Sequence, residues 1–415
     1  MLKKILNQIK NNQIFINFKQ KKYNDLIKKI KLKKEISILF LTNHISQWKY
    51  QSLHKTFSLN TRYKCSVVLV PDENYEKNFN QSYEFNKKEF QNLDIDLVSS
   101  YDFDLNNWID LNVKYKPDIV FFPRALNKSK NKYSIHTFHK SLNCYVPYSL
   151  HIDNNDEIQC ATYFHQLLWK QFLPFKDNME IAKKNYNAKN VLITDYPGCD
   201  EFKIIKQRKS IWKNDNYKKV IWAPHHTIEF YNKKNYFSTF LEINQKMIDL
   251  SIKYRDTIDF CFKPHPGLKE KLLLNNKWGK EKTLNYFNFW KNSSNTILSE
   301  SNYQNLFIES DALILDSISF TAEYLYLNKP LCFLSKSNFD YDTSLNIIGI
   351  KIFNEIKKAY NIDEIIQFLE NSVLRNDIGI IKKQKKLLHS LNLSNPKSVP
   401  ACENIYNFIN KSLSI

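Results

Sequence analysis

Short runs of nearly uninterrupted apolar residues recur along the chain, each followed by a longer stretch with helical spacing. This alternation limits the fold more than any other feature. In the first half the runs are Ile36–Leu41, Ser66–Val70, a weak one at Ile95–Val98, Asp118–Phe122, Asn143–Val146 and Val191–Thr194. In the second half they are Lys219–Ala223, Thr257–Phe262, Ala312–Leu315, Leu331–Leu334 and a weaker Ile347–Ile352. A strand apolar on both faces must be covered on both faces, so the pattern predicts parallel sheets clad in helices. Two such series predict an α/β protein of two Rossmann-like domains facing across a cleft.

The charged, irregular segment Lys203–Tyr217 reads as the linker. The expected division is 1–34 as a basic helical extension, 35–205 as the first domain and 206–390 as the second, with a helix over 391–415 crossing back to the first. The extension carries eleven lysines and a loose apolar periodicity at Leu2, Ile5, Ile9 and at Leu26, Ile27, Ile30. Two readings stand for it: a helix packed on a domain surface, or a peripheral anchor on an anionic membrane face.

Composition narrows the function. The chain has 415 residues, 43% hydrophobic and 14% aromatic, so large cores can form. No apolar run reaches about 18 residues, the length that spans a bilayer. Residues Met1–Asn12 lack the apolar stretch and cleavage site of a secretory signal, so the expected location is the cytoplasm, with the inner face of the cell membrane as a peripheral site. Seven singly spaced cysteines argue against a zinc knuckle or a disulfide framework and read as small buried hydrophobes. A net charge of +19 favours polyanionic partners, although the Lys, Asn and Ile bias of an A/T-rich genome would produce part of it. With five glycines the chain has no glycine-rich phosphate loop.

Ligands of open α/β sheets bind beyond the carboxyl ends of the strands, and four post-strand segments carry chemistry. After Ala312–Leu315 come Asp316, Ser317, Ser319 and Thr321 in or near a helix start, then Glu323. Free N–H groups and hydroxyls there can receive phosphate without a glycine loop. Glu323 is placed to accept hydrogen bonds from ribose hydroxyls. After Thr257–Phe262 comes Lys263-Pro-His265-Pro, a rigid loop presenting an imidazole that can stabilise a leaving phosphate. After Lys219–Ala223 come Pro224, His225, His226 and Thr227. Adjacent histidines are expected to point in different directions, so no metal is assigned to His225, His226 and His265. After Asn143–Val146 come Tyr148, Ser149 and His151 on the acceptor side, with His151 as a base for an attacking hydroxyl and Asp153 or Asp156 to orient it. Each segment also has a plain structural reading: a capped helix, a proline-stiffened loop, a histidine in a polar turn.

Taken in order, Trp222-Ala-Pro-His-His226, Lys263-Pro-His-Pro266 and Asp311-Ala-Leu-Ile-Leu-Asp-Ser-Ile-Ser-Phe320 followed by Asn328-Lys-Pro330 resemble the CDP-glycerol glycerophosphotransferase family of teichoic acid and capsule synthesis. The likeness covers about residues 217–335, with weaker likeness at Thr194–Gly198, Pro147–Ser149 and Asn43–Tyr50. It implies a GT-B-like fold. It also implies that His265 and the Ser317/Ser319 helix start hold a donor diphosphate, with His226 and Glu323 nearby and His151 as acceptor-side base; Lys263 is read, from the residues themselves, as adding charge there. Wall-polymer members carry Trp-His-Gly where this chain has Pro147-Tyr-Ser149, and Arg or Leu before the His-Pro pair, where it has Lys263-Pro264.

The expectation is a transferase moving a glycerol-phosphate, a related polyol-phosphate or a glycosyl group from a CDP-activated donor to a capsular or wall polysaccharide or lipid-linked acceptor. It needs no cofactor beyond that donor. The alternatives are an inverting nucleotide-sugar glycosyltransferase and a nucleotide-sugar 2-epimerase. A catalytically idle assembly subunit is a third. A nucleic-acid-binding role is disfavoured because aromatic residues are not grouped with the lysine clusters.

Overall fold

A computed structural model describes residues 18–71, 79–124, 131–203, 210–228, 238–300, 303–391 and 399–414. These fall into two compact units. The first holds the residues up to His151, Asn155–Glu201 and the C-terminal helix. The second holds Ile152–Asn154 and the described residues from Phe202 onward, short of that helix.

The first unit is built on seven parallel strands: β1 (Ile36–Thr42), β2 (Tyr63–Leu69), β3 (Leu97–Ser99), β4 (Ile119–Phe122), β5 (Leu142–Tyr145), β6 (Lys170–Leu173) and β7 (Val191–Ile193). Their order is β3-β2-β1-β4-β5-β6-β7. β6 was not legible in the sequence. Its Lys170 and Gln171 break the apolar run, and Gln171 is buried there by a hydrogen bond to the Tyr186 hydroxyl. One face of the sheet packs Phe40, Phe121 and Phe172 against the C-terminal helix Ala401–Leu413 through Cys402, Ile405, Ile409 and Leu413. Asp200 fixes the start of that helix: its carboxylate accepts the N–H groups of Ala401 (2.9 Å) and Cys402 (2.8 Å) and the Ser52 hydroxyl (3.2 Å). The helix over 18–31 turns Tyr23, Leu26, Ile27 and Ile30 onto the same core, matching the expected periodicity. Leu2, Ile5 and Ile9 lie outside the described residues.

The second unit carries six parallel strands: β8 (Lys218–Ala223), β9 (Ile258–Phe262), β10 (Thr296–Leu298), β11 (Ala312–Leu315), β12 (Leu331–Leu334) and β13 (Lys357–Ala359), ordered β10-β9-β8-β11-β12-β13. Both sheets therefore start from a central strand, grow one way and then reverse, which is the doubly wound pattern. An aromatic core of Trp222, Phe240, Phe262, Tyr286 and Trp290 fills one side. The expected strand Ile347–Ile352 is instead the start of a helix, Ile347–Glu355. Asn346 caps it by accepting the Gly349 N–H at 2.8 Å, and the buried residues Ile348, Gly349, Ile352 and Phe353 recur at helical spacing. Gly349 is required there, since a Cβ would sit 2.2 Å from the Ile152 carbonyl oxygen. Ile152 belongs to a short segment in which Asp153 bridges Leu345 and Asn154 N–H donates to the Ser344 carbonyl. Part of the expected linker is also committed to this unit: Trp212 is buried, and Asp259 accepts the N–H groups of Lys213 and Asn214.

All seven cysteines are free; six are buried and Cys65 is half-buried. No helix among the described residues is long and apolar enough to cross a membrane.

Candidate functional site

In the second sheet β8 lies between β9 and β11, where the strand order reverses. The loops leaving the carboxyl ends of these three strands therefore converge at a topological switch point. They carry His225 and His226 after β8, Lys263 and His265 after β9, and Asp316 and Ser317 after β11.

Backbone bonds lock the three loops together. His265 N–H donates to the Pro224 carbonyl at 3.0 Å, and His225 N–H donates to Asp316 Oδ1 at 2.5 Å. The other Asp316 oxygen accepts from Thr239 N–H (2.7 Å) and Thr239 Oγ1 (3.0 Å). Asp316 is only 1% exposed, and burial pushes its carboxyl up to about 6 against the pull of these donors. The expectation that Asp316 meets phosphate is corrected: its oxygens are spent on protein donors, and it positions the His225 loop. Thr239 was not singled out from sequence, although a Ser-Thr pair before an apolar helix is an ordinary cap signal. It is the N-cap of Phe240–Lys253 but makes no side-chain cap bond; its hydroxyl turns to Asp316.

The adjacent histidines do not diverge as expected. The rings of His225 and His226 lie 4.4 Å apart, and that of His265 lies 4.9 Å from the first and 4.1 Å from the second. Among the described residues this is one set of three whose ligand atoms fall within 4.8 Å of one another. Burial holds His225 well below the usual imidazole range, helped by His265, His226 and Lys271. Burial, then Lys271, brings His226 down to about 4. The Gly267 N–H donates to His265 Nδ1 at 3.1 Å. A backbone N–H can only donate, so that nitrogen holds its lone pair and the ring proton sits on Nε2. Protonated Nε2 is the wrong form for a metal ligand. Together with Lys263 and Lys271 it gives the cluster the character of an anion receptor.

Ser317 is the N-cap of the helix Ile318–Leu325, and its Oγ lies 3.3 Å from Ser319 Oγ. Ser317 makes no side-chain cap hydrogen bond, so it leaves the first N–H groups of that helix uncapped by its own hydroxyl. Thr321 is corrected as a contact residue: it is buried and donates to the Ser317 carbonyl at 3.0 Å. Glu323 is buried and accepts a hydrogen bond from the Tyr303 hydroxyl, a partner that sequence spacing could not supply. Lys263 is buried, with Nζ 3.5 Å from the Ser299 carbonyl.

The first unit holds Tyr148, Ser149 and His151, the residues expected on the acceptor side. His151 Nδ1 meets Ser149 Oγ at 3.2 Å, and its ring stands edge-on to Tyr148 at 5.4 Å. Ser149 and His151 border a small pocket with Pro147, Gln159, Cys160 and Asn178. His165, unremarked in the sequence, is buried and brought down to about 3 by burial and by the nearby His151. It belongs to the core, capping its own short helix through Thr162.

No family model matches the chain. Over 212 residues, 48% of this chain, it is 24% identical to the minor teichoic acid biosynthesis protein GgaB of Bacillus subtilis (strain 168). The chain spans about a fifth of that relative, the match covering 22% of it. Among solved structures, a variant of the wall teichoic acid polymerase TagF superposes with a TM-score of 0.57 at 14% identity, covering 100% of this chain and 97% of that one. The UDP-GlcNAc 2-epimerase of Neisseria meningitidis, bound to UDP-GlcNAc, gives a TM-score of 0.55 at 14% identity, covering 91% of this chain and 100% of the other. The GT-B-like fold is thereby shown, and teichoic acid proteins stand among both the sequence relatives and the structural neighbours.

Proposed function

We propose that the chain is a transferase of surface-polymer synthesis. It takes a polyol-phosphate or glycosyl group from a nucleotide-activated, CDP-linked donor and passes it to a polysaccharide or lipid-linked acceptor. The observation that carries the reading is the switch-point cluster: three neighbouring imidazoles, Lys263 and a hydroxyl-bearing helix start at the carboxyl ends of β8, β9 and β11, with Lys271 on the helix Leu268–Leu274 that follows β9. A diphosphate is the ligand that such donors suit. The sequence match to a teichoic acid biosynthesis protein supports the polymer, while the fold alone is common to polymerase and epimerase neighbours.

In this reading His265 Nε2–H donates to a phosphate oxygen as negative charge grows on the departing nucleotide. Ser317, Ser319 and the N–H groups behind them hold the neighbouring phosphate. On the acceptor side His151 takes the proton of the attacking hydroxyl at Nε2, provided its Nδ1–H donates to Ser149. Tyr148 flanks the incoming group. With a CDP-polyol donor the hydroxyl attacks phosphorus and CMP leaves; with a nucleotide sugar it attacks the anomeric carbon and a nucleoside diphosphate leaves.

A thermal-shift panel of CMP, CDP, UDP, GDP and CDP-glycerol tests the donor, because stabilisation grows with ligand concentration over Kd. A cytidine nucleotide should give the largest shift. His265→Ala should lower that shift and abolish transfer, whereas His151→Ala should abolish transfer and leave the shift intact. Full turnover by His265→Ala refutes the assignment, and release of a C2-epimerised sugar without an acceptor favours the epimerase.

A further inference from the structure

We infer that a cavity beside β13, in the second unit, binds a neutral sugar ring and so anchors a unit of the acceptor polymer away from the site of transfer. The cavity measures about 350 Å³, within the range of sites that hold small molecules. Its walls come from the connection between β12 and β13: the segment 339–342, the helix Ile347–Glu355 and Lys358 of β13 itself. Among the described residues β13 is the outermost strand on its side of the sheet, and β11 and β12 separate it from β8. The cavity therefore lies apart from the imidazole loops that follow β8 and β9, and none of its lining residues belongs to either candidate site.

The inner wall is apolar and fixed in place. Phe353 packs on Phe333 with 4.6 Å between ring centres, and Tyr341 stands edge-on to Phe339 at 4.7 Å. The Tyr341 hydroxyl donates to Ser335 Oγ at 2.6 Å, and Lys358 Nζ lies 4.5 Å from the centre of the same ring. Asp340 caps the short helix Tyr341–Ser344, accepting from Thr343 N–H (3.2 Å) and Thr343 Oγ1 (2.7 Å). The Asn346 cap and the close approach of Gly349 to Ile152 hold the other helix. With both walls pinned, little ordering remains to be done when a ligand enters.

The outer rim is polar: Asp340, Asp342 and Asn354 are exposed, and Lys358 is half-buried. An apolar wall beneath such a rim meets the needs of a sugar ring. The wall covers its C–H groups. Each of its hydroxyls both donates and accepts, and the rim offers carboxylates that accept, an ammonium that donates and an amide that does both. Two carboxylates against one ammonium in the lining oppose a phosphate, so the neutral ring is favoured over an anionic link of the polymer. A nucleobase fits poorly as well. The ring pairs meet at 76° (Phe333–Phe353), 81° (Phe339–Tyr341) and 49° (Tyr341–Phe353), so no two of these faces run parallel to form a slot for a planar base. Sugar binding stands on the cavity alone; that the sugar is a unit of the acceptor rests on the transfer reading.

The test is saturation-transfer difference NMR on the full chain with no nucleotide present, using the methyl glycosides of glucose, galactose and N-acetylglucosamine as probes. At least one probe should receive saturation from the protein. Asp342→Ala combined with Asn354→Ala should weaken its binding about tenfold or more. Both side chains being exposed, an unchanged thermal melt should confirm that the variant folds. Failure of all the probes to bind overturns the proposal, as does equal binding by wild type and the double variant. Loss of CMP binding together with the sugar in that variant assigns the cavity to the nucleotide and also overturns it. Sugar binding that the double variant loses, in a protein with no transfer activity, upholds the cavity as a sugar site and refutes only the transfer reading.

Discussion

Asp316→Asn should change how the stability of the second unit depends on pH. The Asp316 carboxyl is raised from 3.8 to about 6, with burial as the leading cause. A group whose folded pKa lies above its unfolded one stabilises the fold in acid and loses that contribution as pH rises through the folded value. A gap of roughly two pH units corresponds to about 3 kcal/mol in full, and about 2 kcal/mol of it is lost between roughly pH 4.5 and 7.5. Asparagine keeps the shape but does not titrate. It also sets an NH2 against one of the two N–H groups that the carboxylate now accepts, from His225 or Thr239. Amide exchange of peptides from β8 and β9, read by mass spectrometry in a urea series, isolates this unit. Wild type should gain about 2 kcal/mol over the variant on going from the higher to the lower pH. A difference that stays flat, or that favours wild type at high pH, would refute the burial argument.

Asp200→Ala leaves two buried N–H groups at the start of Ala401–Leu413 without their carboxylate, at a cost of about 3 kcal/mol. Limited proteolysis should then release that helix before any other segment of the first unit. Gly349→Ala forces the Ile152 carbonyl or the helix to move and should cost about 2 kcal/mol, seen as a lower urea midpoint for the second unit alone. Gly349→Ser should be at least as severe.

The central strands were legible because a parallel strand buried on both faces leaves a continuous apolar run, as at β1, β8 and β11. The short strands β6, β10 and β13 were not. Thr296–Leu298 and Lys357–Ala359 are too brief for a periodicity, and Lys170–Gln171 hides a strand behind polar letters. Ile347–Ile352 misled because β-branched residues suggest a strand, while one capping asparagine and one close backbone approach decided for a helix. His265 and Ser317 could be found because each directly follows a readable strand. The role of Asp316 could not. Its partners are backbone donors 77 and 91 positions away, and any residue type can supply a backbone N–H. The clustering of His225 with His226 was equally hidden, since it depends on how one loop turns after Pro224.

The return of Ala401–Leu413 to the first sheet bears on how the protein is made. As the nascent chain leaves the ribosome, the second unit has all its strands and the Ile152–Asn154 segment before the final helix emerges. The first unit must wait for Cys402, Ile405, Ile409 and Leu413 to cover its sheet. Translation order and folding order are thus expected to run opposite ways, with the half that is synthesised first finishing last.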